Sequence, residues 1–198
     1  MMRALIFCFD GWLRKTLGVF EYCDASDCLL RVRLSSAAHP LYLPDCIVVE
    51  GAPVLELHLW NEHIPPLPPE GPDLAWAAQT QRRLVASFRA LADRMRRDPN
   101  YAAIQAVGGV TVLILPGNGA GGEKLFQRLG FSMHPYHSTL GRFGEFWENF
   151  YSWWIMWAFN PPTLRRRRLT RLRRAEIWMC VEEFLRRYCA NEMENHGC

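Results

Sequence analysis

One stretch of the chain brings together side chains that can take part in acid–base chemistry. It reads Val54-Leu55-Glu56-Leu57-His58-Leu59-Trp60-Asn61-Glu62-His63. In a single β-strand, side chains alternate between two faces, so the leucines would face the core and Glu56, His58, Trp60 and Glu62 the other side. A histidine flanked by two carboxylates can serve as a general base, a metal ligand or a hydrogen-bonding site.

We therefore take Glu56, His58 and Glu62, with Asn61 at the strand end, as candidate functional residues. The alternative is an ordinary strand face exposed to solvent. His63 has the opposite parity to His58 in such a strand, so the pair does not predict a metal site.

A second candidate is the glycine-rich loop 117–122, which lies between an apolar run of strand length and a short helix. Backbone N–H groups at a helix N-terminus can hold a phosphate, so Gly119, Gly121 and Gly122 are candidates for binding a coenzyme. The loop lacks the P-loop and dinucleotide patterns, and a plain flexible turn is the alternative. The segment that follows, residues 125–131, resembles the helix and Gly-Phe segment of GNAT acetyltransferases. That resemblance implies an acyl-coenzyme A cofactor.

A third candidate combines aromatic residues with arginines. An aromatic segment, residues 143–159, is followed by seven arginines between Arg165 and Arg174. Trp suits the headgroup region of a membrane, and nearby arginines are attracted to anionic lipid. The predicted contact residues for an anionic membrane surface or lipid are Trp153, Trp154, Trp157, Arg165, Arg166, Arg167, Arg168 and Arg171. The alternative is a core helix followed by an exposed basic loop.

The charge distribution narrows the classes of partner. The formal net charge of the 198 residues is +3, although residues 165–174 alone carry seven arginines, so the basicity is local. A local patch indicates phosphate or anionic lipid, whereas general nucleic-acid coating requires uniform basicity, so no specific nucleic acid is expected. No export signal or membrane-spanning run is recognised. A cytoplasmic protein is predicted, with the inner membrane surface as its place of peripheral association.

The cysteine pattern also favours a cytoplasmic protein. There are seven, an odd number, without any C-x-x-C pair. This pattern argues against a disulfide framework, a structural zinc site and a disulfide-linked partner, and it fits a reducing cytoplasm.

These candidates require a scaffold, and the periodicities predict a single α+β domain over residues 1–198. Apolar residues at helical spacing predict an amphipathic helix within residues 1–20, and alternating residues predict a small antiparallel sheet within 29–59. Prolines follow as a spacer, and Asp73 is placed to cap a long helix that covers the sheet. The aromatic helix and a C-terminal unit, strand 176–180 and helix 181–188, complete the chain.

Several dispersed strings resemble the bacterial YkoP-like family. They are residues 41–45, 54–62, 108–111, 125–131, 176–179 and 185–188. The family's Glu-x-His-x-x-Asn-Glu pattern corresponds to Glu56, His58, Asn61 and Glu62. Members occur alone or joined to polysaccharide-deacetylase domains, which implies a connection with the cell envelope but no defined reaction.

Two functional classes therefore stay open. One is a peripheral membrane or envelope-associated binding module that recognises a lipid or an envelope precursor. The other is a GNAT-like acyltransferase that uses an acyl-coenzyme A donor.

Overall fold

The architecture is that of an α+β protein. The computed structural model describes residues 2–68, 70, 73–112, 120–136, 138, 141–159, 161 and 174–189. In chain order, the helices and strands are α1 (Met2–Thr16), β1 (Leu30–Ser36), β2 (Leu41–Tyr42), β3 (Ile47–Val48), β4 (Pro53–Leu59), α2 (Leu74–Arg97), β5 (Ala106–Val112), α3 (Ala120–Arg128), β6 (Ser132–Pro135), α4 (Gly141–Phe159), β7 (Arg174–Cys180) and α5 (Val181–Tyr188). Short 3-10 helices occupy Asn61–His63 and Pro99–Tyr101.

The main sheet has five strands in the order β1-β4-β5-β7-β6. Three neighbouring pairs are antiparallel, among them β1 and β4 within the predicted antiparallel sheet, but β4 and β5 are parallel. The parallel pair follows from the connection, because α2 crosses from the end of β4 back to the start of β5, as a helix between parallel strands does. A separate two-stranded ribbon joins β2 to β3.

Helix α2 begins where the sequence predicts. The Asp73 side chain accepts a hydrogen bond from the Trp76 backbone N–H at 2.7 Å and so caps the first turn. Below it, Phe88 is fully buried, with ring centres 5.4 Å from Phe131 and 5.0 Å from Tyr188. The same core includes Leu55 and Val107 from the sheet. This core lies on one face of the sheet. Other elements of the chain contact the opposite face.

The β2–β3 hairpin, residues 41–48, covers part of that other face. Its inner residues Leu41 and Val48 pack with Val54, Ala106 and Trp178 in a second core. A disulfide links Cys46, just before β3, to Cys180 at the end of β7.

The expectation of unbridged cysteines is therefore wrong at this pair. The two residues are 134 positions apart, and only the fold brings their Cα atoms to 6.1 Å, within the range for a bridge. No spacing rule in the sequence could have paired them. Among the described cysteines, Cys8, Cys23, Cys28 and Cys189 are free thiols.

Helices α1 and α4 pack against each other. The Tyr151 hydroxyl donates to Asp10 Oδ1 at 2.7 Å, and the ring of Phe9 lies 6.1 Å from that of Trp154. Helix α1 thereby covers the C-terminal half of α4. Within the described ranges, no helix combines the length and apolar character that crossing a bilayer requires.

Candidate functional site

Charged side chains collect on the sheet face opposite α2, which we call the polar face. It carries Arg31 and Arg33 from β1, Glu56 and His58 from β4, and Glu176 from β7 beside Trp178. Strand alternation produces this arrangement, because Val32, Leu55 and Ile177 of the same strands face the α2 core.

Glu56 and His58 lie side by side on the polar face, as the sequence predicts. Glu56 accepts a hydrogen bond from Arg33 Nη2 at 2.6 Å, whereas His58 Nε2 lies 3.6 Å from Glu56 Oε2, longer than a hydrogen bond. Burial alone would raise the pKa of Glu56, but the polar contacts with His58, Arg33 and Ser35 outweigh it and lower the pKa to about 2. Glu56 is therefore a permanent carboxylate at neutral pH, suited to holding a cation or orienting a donor.

Glu62 is not part of β4, contrary to the prediction of one continuous strand. Strand β4 ends at Leu59, Trp60 is 8% exposed, and Glu62 and the half-buried Asn61 belong to a 3-10 helix. The turn is stabilised by stacking, because the His63 ring lies 3.8 Å from that of Trp60.

Glu62 links two other parts of the protein. It pairs with Arg31 of the sheet at 3.3 Å and with Arg14 of α1 at 3.4 Å. The Arg31 guanidinium also lies 4.3 Å from the centre of the Trp60 ring, a cation–π contact. Glu62 thus joins α1 to the sheet and is not a partner of His58.

The polar face includes a buried carboxylate that the sequence reasoning missed. Glu176 is 7% exposed and accepts hydrogen bonds from Trp178 Nε1 and from His39 Nε2, both at 3.0 Å. His39 Nδ1 lies 3.1 Å from the Pro40 carbonyl oxygen. Both ring nitrogens therefore face acceptors, an arrangement that favours the doubly protonated ring. The contact with Pro40, followed by that with Glu176, raises the pKa of His39.

A signal for this pair was present in the sequence. Glu176 lies in a predicted strand between the apolar residues Ala175 and Ile177. A carboxylate that is buried at such a position needs hydrogen-bonding or charged partners. Sequence alone does not reveal that His39, 137 residues away, supplies one.

The glycine loop is only partly described. Gly119 lies outside the described residues, and α3 begins at Ala120, so Gly121 and Gly122 are in its first turn. The helix therefore starts three residues before the predicted Glu123. Cofactor binding by these glycines stays a prediction.

The aromatic helix exposes a different end from the one predicted. Trp153, Trp154 and Trp157 are half-buried, whereas Phe143 is 68% and Trp147 51% exposed. Helix α1 contacts α4 at Tyr151 and Trp154, whereas Phe143 and Trp147 lie nearer the N-terminus of α4. We call the exposed set the aromatic surface: Phe9 and Trp12 from α1 with Phe143, Phe146, Trp147 and Phe150 from α4.

The aromatic surface is continuous along α4 and across to α1. Ring centres are 6.1 Å apart for Phe143 and Trp147, and 5.8 Å apart for Trp147 and Phe150. Trp154 connects Phe150, at 6.4 Å, with Phe9, at 6.1 Å. These contacts arrange the rings in a row, and the outer side of the row is exposed to solvent.

The predicted arginines, Arg165, Arg166, Arg167, Arg168 and Arg171, lie outside the described residues. The ends of their segment are described. It leaves α4 at Phe159 and returns at Arg174, whose guanidinium donates to Asn149 Oδ1 at 3.0 Å and to Ser152 Oγ at 2.6 Å. The last arginine of the run is thus attached to α4.

Comparison with known proteins identifies the family. No curated protein and no solved structure matches the chain. A family model described as the YkoP domain matches residues 10–188. That span includes the polar face, most of the aromatic surface and all elements from β1 to α5. The resemblance seen in the dispersed motifs is confirmed, and the chain belongs to the YkoP domain family.

Proposed function

We propose that the protein is a peripheral membrane-binding module that docks on an anionic lipid surface and there recognises a lipid or an envelope precursor. The observation that carries the proposal is the aromatic surface. Large exposed apolar patches on a folded protein mark interaction sites, and Trp and Phe beside cationic residues suit the membrane interface.

Two energetic terms support binding. An aromatic side chain buries roughly 150–250 Å² when it is fully enclosed, so a half-exposed ring offers about 100 Å² to a membrane, worth about 2.5 kcal/mol. Arginines near an anionic leaflet add about 1 kcal/mol each. Because the two terms are of similar size, binding should need both the aromatic residues and the charge.

The position of the arginine run favours a membrane over a protein partner. The run begins six residues after α4 ends at Phe159, and its last arginine, Arg174, is hydrogen-bonded to that helix, which carries most of the aromatic surface. An anionic bilayer offers apolar depth and negative charge within the same few ångströms, which matches this combination.

Vesicle co-sedimentation tests the proposal. The wild-type protein should bind vesicles that contain phosphatidylglycerol and bind phosphatidylcholine vesicles weakly, and the binding should fall as salt is added. Replacing Arg165, Arg166, Arg167 and Arg168 with Gln should reduce binding to anionic vesicles sharply. A charge-matched variant that replaces the exposed α2 residues Arg82, Arg89, Arg94 and Arg97 with Gln should bind as the wild type does. Equal binding by all three proteins would contradict the proposal.

One observation favours acyl transfer as a second candidate. The pairing of β4 with β5 covers only three residue pairs, Val54↔Ala106 to Glu56↔Gly108, although both strands continue beyond it. Strands that stop pairing offer backbone groups to an extended ligand, such as the pantetheine arm of coenzyme A. Glu56 belongs to the last of these three pairs.

A thermal-shift measurement tests this second candidate. Acetyl-coenzyme A should raise the Tm by mass action if it binds, and Gly122→Asp should abolish the rise by charge repulsion if the glycine loop holds the pyrophosphate. An unchanged Tm at millimolar acetyl-coenzyme A would leave membrane binding as the better-supported function.

A further inference from the structure

The β2–β3 hairpin is attached to β7 at two separate points. Cys46 is joined to Cys180 by the disulfide, and His39, just before β2, contacts Glu176. The residues on β7 lie on the same side of the strand as Trp178, which packs under the hairpin.

The hairpin has little structure of its own to hold it in place. Each of its strands has two residues, and the pairing is limited to Leu41↔Val48 and Tyr42↔Ile47. Isolated two-stranded ribbons are marginally stable in water, so the attachment to the sheet decides whether the hairpin stays in place. Beneath it lie Val54 and Ala106, which are fully buried.

We propose that Cys46 and Cys180 form a thiol–disulfide switch that exchanges electrons with dithiol reductants and controls how firmly the hairpin is held on the sheet. In the oxidised state the bridge and the His39–Glu176 pair both hold the hairpin. In the reduced state the ion pair, the apolar contacts and the backbone hydrogen bonds of Ala37 with Gly51 and Ala52 at its base hold it.

The chemistry proceeds by ordinary thiol–disulfide exchange. A thiolate of the dithiol attacks Cys46 Sγ, because Cys46 is half-buried whereas Cys180 is 6% exposed. A mixed disulfide forms at Cys46, and the Cys180 thiolate leaves and takes up a proton. The second thiol of the reductant then releases Cys46 as a thiol. Two electrons and two protons pass to the protein, and the reductant leaves as a disulfide.

The reducing cytoplasm that the sequence predicts would set the resting state of this switch. There the pair would rest as two thiols, and a disulfide oxidant would run the same exchange in reverse and fasten the hairpin. Because the bridge closes a loop of more than a hundred residues, its constraint on the chain is large.

Alkylation with mass spectrometry, joined to hydrogen exchange, tests the proposal on the full chain. After equilibration in an oxidising glutathione buffer, Cys46 and Cys180 should resist iodoacetamide and appear as one linked peptide pair, whereas the exposed Cys8 should be alkylated. Addition of dithiothreitol should make both alkylatable. It should also speed amide exchange within 41–52 by about tenfold or more, with little change in α2.

Two variants complete the design. Cys46→Ser with Cys180→Ser should show fast exchange within 41–52 that dithiothreitol does not alter, and Cys8→Ser should respond as the wild type does. Free alkylation of Cys46 and Cys180 after oxidation would overturn the proposal. Exchange within 41–52 that is the same in oxidised and reduced wild-type protein would overturn it as well, whatever the variants do.

Discussion

Gly108 gives the sharpest test of the polar face, because the Trp178 side chain needs the space that its missing side chain leaves. Strand β5 is aligned with β7 so that Gly108 pairs with Trp178. A Cβ atom added to Gly108 would lie 2.0 Å from the Ile177 carbonyl oxygen and 2.5 Å from Trp178 Cε3. Neither neighbour can yield easily, since one is backbone within the ladder and the other belongs to a buried indole.

Gly108→Ala should therefore destabilise the protein strongly. Overpacking a core commonly costs about 1–3 kcal/mol, and here the clash with backbone puts the cost at the upper end, about 3 kcal/mol. For a chain of this size that free energy corresponds to a Tm lower by about 6–12 °C. Differential scanning calorimetry measures the shift directly.

Gly11→Ala is the matched control, because the chemical change is identical and the surroundings differ. Its added Cβ would lie 3.8 Å from Arg14 Nη2, an ordinary contact, and Ala favours the helix over Gly by about 1 kcal/mol. The control should leave the Tm unchanged or raise it slightly. A Gly108→Ala protein that melts with the wild type would refute the packing described for Trp178.

Three further predictions concern charged and polar contacts. The raised pKa of His39 means that its contacts with the Pro40 carbonyl and with Glu176 stabilise the fold below a pH of about 6.5 and that this contribution is lost as the pH rises through the raised value. Glu176→Gln should lower the pKa of His39 in an NMR titration, and an unchanged pKa would refute the contact. The lowered pKa of Glu56 places its stabilising contribution above a pH of about 4.5, to be lost as the pH falls through about 2. The urea midpoint of unfolding is measured between these pH values for the wild type and for Glu56→Gln. As the pH falls, the midpoint should decrease less in the variant than in the wild type, and an equal decrease in both would refute the ion pair. Tyr151→Phe removes the hydrogen bond to Asp10, so amide exchange in α1 should speed up while α2 is unaffected, and equal exchange would argue against this anchor.

Local chemistry explains which elements the sequence could predict. The Asp73 cap, the long α2 helix and the pair β7 and α5 follow from side-chain periodicity and capping, which act within a few residues. The end of β4 does not. Residues of alternating type continue in the sequence to Glu62, but the strand ends earlier and Trp60 stacks on His63. The alternation pattern gives no information about this stacking.

Contacts between distant parts of the chain could not be predicted from the sequence. The parallel pairing of β4 with β5 depends on where α2 packs, and the Cys46–Cys180 bridge and the His39–Glu176 contact depend on that sheet order. The same applies to the aromatic helix. Its sequence indicates an interfacial face, but only the packing of α1 decides that Phe143 and Trp147 are exposed and that Trp153 and Trp157 are half-buried.

The most direct test of membrane docking compares two pairs of exposed apolar residues on different sides of the protein. Phe143→Ser with Trp147→Ser removes the most exposed part of the aromatic surface on α4, and Tyr42→Ser with Ile47→Ser removes a similarly exposed pair from the hairpin. Partition onto vesicles containing phosphatidylglycerol is measured for both variants and the wild type. If each ring contributes about half of its 2.5 kcal/mol, the first pair should weaken binding by about 50-fold or more, and the second should leave it unchanged. Equal losses from the two pairs, or no loss from the first, would contradict docking through the aromatic surface.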